Sequence, residues 1–570
     1  MGATIEGDLL TGTEGSSGLR TRGRLKVLAA TAALGLAAAG CGGGSTTGST
    51  PAGTDAANKG VNAPPTTEDP TLKPKAGGKL VFAVIAETDG WDPAKSRWAA
   101  SGLDISNAIF DKLAAYDESG HFKPLLAQAI ESNADFTEWT IKVRPGVKFH
   151  DGTPVDGAAI QKNLKASKAS PLTGGALGPI KSVELSADGS VVIPMTTPWS
   201  TFPVVLTGQV GTVAAPSQMD SPEGQQKPVG SGPFKFESWS PGSKLVVKKN
   251  NDYWQKGQPL LDGIEFRTIA DNQSRSAALR SKDIDGMENY DPELTDSFRT
   301  APDAADYRIL RDPKSEEDEA LVMLNEAKPP FDDLLARRAL AHATDPKAVT
   351  QLLSDNLEVA TGPYSKESKY YADSGYPSFD LEAAKKDVAE YKAKHGGKFE
   401  FQLDGIPVVE VQKVEQLLQQ QWAAAGLDVK LSNVEQAPLI SQALGGNYQA
   451  TMWRQFSAPS PDGEYVWWHS STAKPVGEIA LNFARNKDPE IDKALDGARA
   501  TSDEAKQREL WGVVQKRHGQ DLPYIWLYHV QSVIISSNRV HDITKWNLPD
   551  GKPALGQISV LHGWGQVWVS

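Results

Sequence analysis

Between Ala450 and Ser470 the chain reads ATMWRQFSAPSPDGEYVWWHS, with Trp453, Phe456, Tyr465, Trp467 and Trp468 falling within sixteen residues. Arg454, Asp462, Glu464 and His469 are interleaved with those rings. Flat apolar rings give a small molecule contact area and fixed charges give it orientation, so the pattern suits recognition of a solute. The Ser-Pro-Asp-Gly segment reads as a turn and places the run on a loop-rich surface. Rings that cap a core leave the same trace, so for Trp453, Trp467 and Trp468 both readings stay open.

Motifs for bond-making chemistry are missing from the sequence. The stretch GSGPF around Ser231 fails as a nucleophile elbow, because Pro233 stands where that turn needs glycine. None of the nine histidines opens a His-Glu-x-x-His helix, and no Gly-x4-Gly-Lys-Ser/Thr phosphate loop occurs. Carboxylate pairs such as Glu316/Glu317 and Asp332/Asp333 read as solvated surface. One cysteine in 570 residues excludes an internal disulfide and any multi-cysteine metal site. We therefore expect no catalytic residue, no metal and no cofactor. A net charge of −12 without a Lys/Arg run speaks against nucleic acid as a partner.

That lone cysteine, Cys41, has an informative setting. Arg20, Arg22, Arg24 and Lys26 precede an apolar run from Val27 to Ala39, and small residues lead into Cys41. Basic, apolar and small in that order is a secretory leader. Ala38-Ala39-Gly40-Cys41 resembles a bacterial lipobox, which implies lipid on Cys41 and removal of residues 1–40. Residues 41–77 are mostly Gly, Ser, Thr, Pro and Ala with no aromatic ring, a composition that cannot bury enough apolar surface to order itself. As a coil such a tether spans about 30–36 Å.

The elements that must position the aromatic run follow from period. KLVFAVIAE after Gly78 reads as a buried strand, TDGWDPAKS as a turn, and SGLDISNAIFDKLAAYD has helical spacing. EWTIKVRPGVKFHDGTPV reads as two strands about Pro145-Gly146, and Phe234/Phe236 with Leu245/Val247 as a hairpin about Ser240-Pro241-Gly242. FDDLLARRALAHATD, DLEAAKKDVAEYKAK and EVQKVEQLLQQQWAAAG read as helices, the last ending at Gly426 before the strand LDVKLSNV. The helix SDEAKQRELWGVVQKRHGQ leads into one apolar strand, LPYIWLYHVQSVII. Helix and strand in alternation define an α/β protein, and the length asks for more than one domain.

Two long segments carry a family resemblance. PVGSGPFKFESWSPGSKLVVKKNNDYWQKGQPLLDGIEFR, residues 228–267, resembles the hallmark stretch of the family 5 extracellular solute-binding proteins, the peptide, dipeptide and nickel receptors of ABC importers. IFDKLAAYDESGHFKPLLAQAIESNADFTEWTIKVRPGVKFHDGTPV resembles that family's second signature, and LRSKDIDGM and RRALAHATD match further segments in order. The resemblance implies a periplasmic-binding-protein-like type II fold, a two-lobed flytrap with an extra domain inserted in lobe I. Lobe I would comprise 78–110, 206–320 and 530–570, the inserted domain 111–205, and lobe II 321–529.

It also implies a receptor on the outer face of the plasma membrane. The receptor would be lipid-anchored and monomeric, closing its cleft on a small solute and delivering it to ABC permease subunits. An oligopeptide is the default solute, with an oligosaccharide or metal chelate as alternatives; an extracellular lipoprotein enzyme is the reading from another class. Carried over by position, Glu87 just after the first strand, Trp453, and Tyr528 or His529 in the last crossing segment face the cleft. Trp91 in the adjoining turn and Arg454, a carboxylate holder, complete the candidate set with Trp467 and Trp468. Where the family holds a peptide's ammonium with an aspartate, this chain has Ser457, leaving Asp462 as the one possible counterpart.

Overall fold

The computed structural model describes residues 72–311, 318–455, 458–556 and 563–570. Cys41, the leader and most of the tether lie outside the described residues, as do Glu316, Glu317, Phe456 and Ser457. In chain order, β1 (Lys79–Val84) leads to α1 (Ala100–Ile109), then to β2 (Ala127–Ser132), β3 (Glu138–Val143), β4 (Glu184–Leu185) and β5 (Val191–Pro194). There follow β6 (Phe234–Ser240), β7 (Lys244–Lys249), β8 (Gly263–Thr268), α2 (Asn272–Arg280), β9 (Gly286–Asn289), α3 (Pro292–Thr300) and β10 (Tyr307–Leu310). Beyond them come β11 (Asp318–Leu324), α4 (Leu334–Ala343), α5 (Pro346–Leu353), α6 (Leu381–Lys394), β12 (Glu400–Gly405) and α7 (Val409–Ala425). Further along come β13 (Asp428–Asn433), β14 (Ala450–Gln455), α8 (Pro489–Arg499), α9 (Glu504–Asp521), β15 (Tyr524–Val530) and β16 (Val533–Ser537).

These strands form three main sheets. A seven-stranded sheet runs β10-β16-β9-β1-β8-β7-β6, a five-stranded one β13-β12-β14-β11-β15, and a four-stranded one β2-β3-β5-β4. Each has its own apolar core: Phe82, Phe266 and Trp564 in the first, Phe401 and Trp422 in the second, Trp139 and Trp199 in the third. In β11 every residue is buried, with Val322 and Leu324 entering one core and Leu321 and Met323 the other. A strand covered on both faces reads as a continuous apolar run for this reason. Helices start where sequence chemistry says they should: Asp291, Asp345 and Asp488 cap α3, α5 and α8, each followed by proline at the first helical position. Gly426 ends α7 at φ 94°, which a side chain would disfavour.

The chain crosses between the two large sheets twice. One crossing joins β10 to β11, and the other is Gln531–Ser532 between β15 and β16. Both crossings are flanked by paired strands, with Leu310 opposite Ile534 on one side and Asp318 opposite Val530 on the other.

Three expectations change. LPYIWLYHVQSVII is two strands in different sheets, because the apolar run continues straight through the crossing. Val147 and Phe149 form no strand: Asp151-Gly152 turns the chain back at once, Phe149 bonds Thr153, and both rows of side chains drop into the third core. The aromatic run begins as a strand, since Ala450–Gln455 pairs with both β11 and β12, and turns irregular only beyond it.

Candidate functional site, the seam between the two large sheets

In both large sheets the carboxyl ends of the parallel strands face the same seam. β1, β8 and β9 are parallel in the first sheet, and β12, β13 and β14 in the second. Open α/β sheets leave a crevice at that edge, since the loops leaving the strands diverge to either face. The seam is bridged by side chains from those very loops and helix starts. Lys413 on α7 donates to both oxygens of Glu293 on α3 at 2.9 and 2.8 Å. Asn272 at the start of α2 donates to Glu410 of α7 at 3.3 Å and to Asp291 at 2.6 Å. Beyond α5, Ser354 Oγ and Asn356 Nδ2 donate to Asp296 of α3 at 2.6 and 2.9 Å. Burial, together with the neighbouring Glu410, pushes the Asp291 carboxyl above its ordinary pKa, opposed by the Leu294 N–H that it caps.

Deeper in the seam, the Arg454 guanidinium of β14 lies 3.8 Å from the ring centroid of Tyr290, which follows β9. Its Nε donates to Asp318 at 2.6 Å. Arg454, Ala320 and Tyr528 stand side by side across β14, β11 and β15, so Arg454 and Tyr528 share a face. Glu319 and His529 pair one position along and take the other face. Burial lifts the Tyr528 hydroxyl to about 12 and pulls the His529 imidazole down to about 4, so both are neutral at pH 7.

The nine expected ligand contacts separate into groups. Arg454, Tyr528 and His529 come together at the seam, but Arg454 already has a carboxylate in Asp318. Trp453 and Trp467 are half-buried and both pack on Phe483, with ring centroids 5.2 and 5.1 Å away. Trp468 is buried, edge-on to His518 at 4.8 Å, and belongs to a core. Asp462 is 3% exposed, accepts from Trp199 Nε1 at 2.8 Å and pairs with Arg499 at 2.5 Å. Its carboxylate ties the third sheet's Trp199 to α8, and the Arg499 guanidinium is sandwiched between Trp199 and Tyr465. Glu87 accepts from Trp239 Nε1 at 2.7 Å and from Gly242 N at 2.6 Å, holding the loop after β1 to the β6–β7 turn. Trp91 is fully buried against Trp98 and Trp239.

Residue types alone gave no reason to choose Glu288, Tyr290, Asp291, Glu410 or Lys413. Their signal was position: MENYDPEL places Glu288, Tyr290 and Asp291 where a parallel strand ends and a capped helix begins, and Glu410 and Lys413 open the helix that follows the parallel strand β12.

Two α/β lobes joined by two crossings, with a third sheet inserted in the first lobe and parallel-strand carboxyl ends lining the seam, define a type II periplasmic binding protein fold. Residues 121–476 match the model of the bacterial extracellular solute-binding proteins, family 5 (middle region), and the chain belongs to that family. Among curated relatives, it is 28% identical over 489 residues to the oligopeptide-binding protein AppA of Bacillus subtilis (strain 168), covering 80% of this chain and 87% of the relative. It is 25% identical over 489 residues to the glutathione-binding protein GsiB of Pectobacterium atrosepticum, covering 82% and 91%. Among solved structures, AppA from Bacillus subtilis in complex with a nonapeptide superposes with a TM-score of 0.75 at 24% identity, over 87% of this chain and all of that one. The binding protein AgaA from A. tumefaciens R10 in complex with agropinic acid gives 0.76 at 24% identity, over 86% and 99%.

Proposed function

We propose that this chain is the receptor of an ABC importer, anchored outside the plasma membrane by lipid on Cys41, and that it binds solute without transforming it. Lobe I is 78–110, 206–320 and 530–570, the inserted domain 111–205, and lobe II 321–529. The observation that carries the reading is the seam, where side chains from both sets of parallel-strand ends meet; the two short crossings beside it are the hinge in this reading. A solute that contacts both lobes binds the closed form better, and that difference in affinity is what closes it. The closed monomer then docks on the permease, and residues 41–77 supply the reach.

Oligopeptide is the favoured solute, supported by the AppA relative and its nonapeptide complex. A different small polar solute is the second reading, favoured by the engagement of Asp462 with Arg499 and Trp199, and by relatives that take glutathione or agropinic acid. The test is a melting curve of the intact chain with a mixed peptide pool. Stabilisation of about 2.7 kcal/mol is expected at a hundredfold excess over Kd. No shift with peptides, alongside a shift with opines or glutathione, would transfer the proposal to the second reading.

A further inference from the structure

Glu288 lies on β9 at the carboxyl edge of the first sheet and is 1% exposed. One oxygen, Oε1, accepts from the Ile85 amide at 2.5 Å and from the Ser101 hydroxyl. Ser101 sits in the first turn of α1, so the carboxylate lies at the amino end of that helix. The second oxygen, Oε2, is buried and accepts no hydrogen bond. A buried carboxyl oxygen without a hydrogen-bond donor is costly, and each such group calls for an explanation.

Arg275 of the same lobe bears on Glu288 electrostatically, but its Nε makes no hydrogen bond and so does not reach Oε2. Both of its terminal nitrogens are spent elsewhere, on the carbonyls of Ile269 and Ala270 and on the Asn272 side chain. The other acids of the candidate set are also committed: Asp462 to Arg499 and Trp199, Glu87 to Trp239 and Gly242. Glu288 and Tyr290 are two apart along an extended chain and so project to one side, and Tyr290 reaches Arg454 across the seam. Asp104 and Asp318, both buried, also bear on Tyr290 electrostatically, so carboxylates dominate this part of the seam.

We propose that Glu288 receives a cationic N–H group of the solute, an ammonium or guanidinium, from the lobe I side of the cleft. The assignment rests on the receptor reading above. A charged donor placed on Oε2 completes the carboxylate's hydrogen bonding and supplies the counter-charge that burial demands.

The test uses the intact chain, with two probes: a pool of tri- to pentapeptides free of Lys, Arg and His, and the same pool N-acetylated. In the first pool the terminal ammonium is the only cation. The unblocked pool should raise the melting temperature and the acetylated pool should not. Glu288→Gln, which keeps both Oε1 acceptances, should weaken binding of the unblocked pool at least tenfold while leaving the ligand-free melting curve in place. Equal stabilisation by both pools, unchanged in E288Q, would overturn the Glu288 assignment and leave the receptor reading intact. A fall in the ligand-free melting temperature of E288Q with discrimination between pools preserved would assign Glu288 to an Arg275 pair instead. No shift with either pool overturns the peptide reading and this assignment together.

Discussion

A buried carboxylate paired with a guanidinium is a poor place to seat a ligand's ammonium, since the newcomer must first displace a partner already desolvated beside it. Asp462 is in that position, clamped by Arg499 and Trp199. Asp462→Asn should therefore act on stability. It leaves the Arg499 charge buried without its counter-ion, at a cost of about 3–5 kcal/mol, read as a lower midpoint in denaturant. An ammonium anchor would instead lose affinity at unchanged stability. At this scale the sequence revealed residue types and concealed their engagements. Trp453, Trp467 and Trp468 stand in one run, yet only Trp468 is a core residue, and the partner that distinguishes it, His518, is fifty positions away. Glu288 carried no signal beyond its place at a strand end, because what marks it is an unfilled acceptor left by the bonds to Ile85 and Ser101.

Among the elements, α3 of lobe I is gripped by lobe II from two sides, by Glu410 and Lys413 of α7 and by Ser354 and Asn356 after α5. The Lys413–Glu293 pair is two-fifths exposed on each side, so by itself it contributes about 0–1 kcal/mol. Asp291, with Glu410 beside it, should give the interface a pH dependence. Asp291 has its pKa raised where the lobes meet and would return toward the ordinary range when they part. The meeting form thus holds the proton more tightly, is favoured at low pH, and loses that advantage as pH rises through the raised value. A difference of one pKa unit between the forms is worth about 1.4 kcal/mol, tenfold in the closing equilibrium. Small-angle scattering should show a larger radius of gyration at pH 8 than at pH 5, and Glu410→Gln should flatten the change. A flat wild-type profile would remove the pair from the closing equilibrium. Elements were the most legible level of this chain. The helices before Gly426 and before Leu522 lie where their apolar period puts them. The errors arose where pairing across the fold decides, as in Val147–Phe149, which has strand alternation but pairs with 153–155 across a tight turn instead of with a sheet strand, and β14, whose partners are remote in sequence.

For the whole molecule, Cys41→Ala should move the protein from the membrane fraction to the medium, judged by fractionation of cells and immunoblotting. Persistence in the membrane would refute the lipid anchor. Among the described residues no helix is long and apolar enough to cross a membrane, so the body offers no second means of retention by that route. The architecture was legible as α/β from alternation and as a flytrap only through long motifs. Discontinuity is the reason: β1, β8 and β16 share a sheet across more than 450 residues, a proximity that no local period records.

The two crossings bear on mechanics. Because Leu310 faces Ile534 at one end and Asp318 faces Val530 at the other, the crossings leave as neighbours running in opposite directions. Two connections anchored side by side at both ends resist shear and torsion between the sheets more than they resist bending. A lone thread would let one lobe swivel, and each encounter with solute would then have to recover orientation as well as distance. If the proposed closure operates, two coupled connections would reduce the approach to one angular coordinate, and most of the rotational entropy of bringing Tyr290 to Arg454 would be spent when the chain folds.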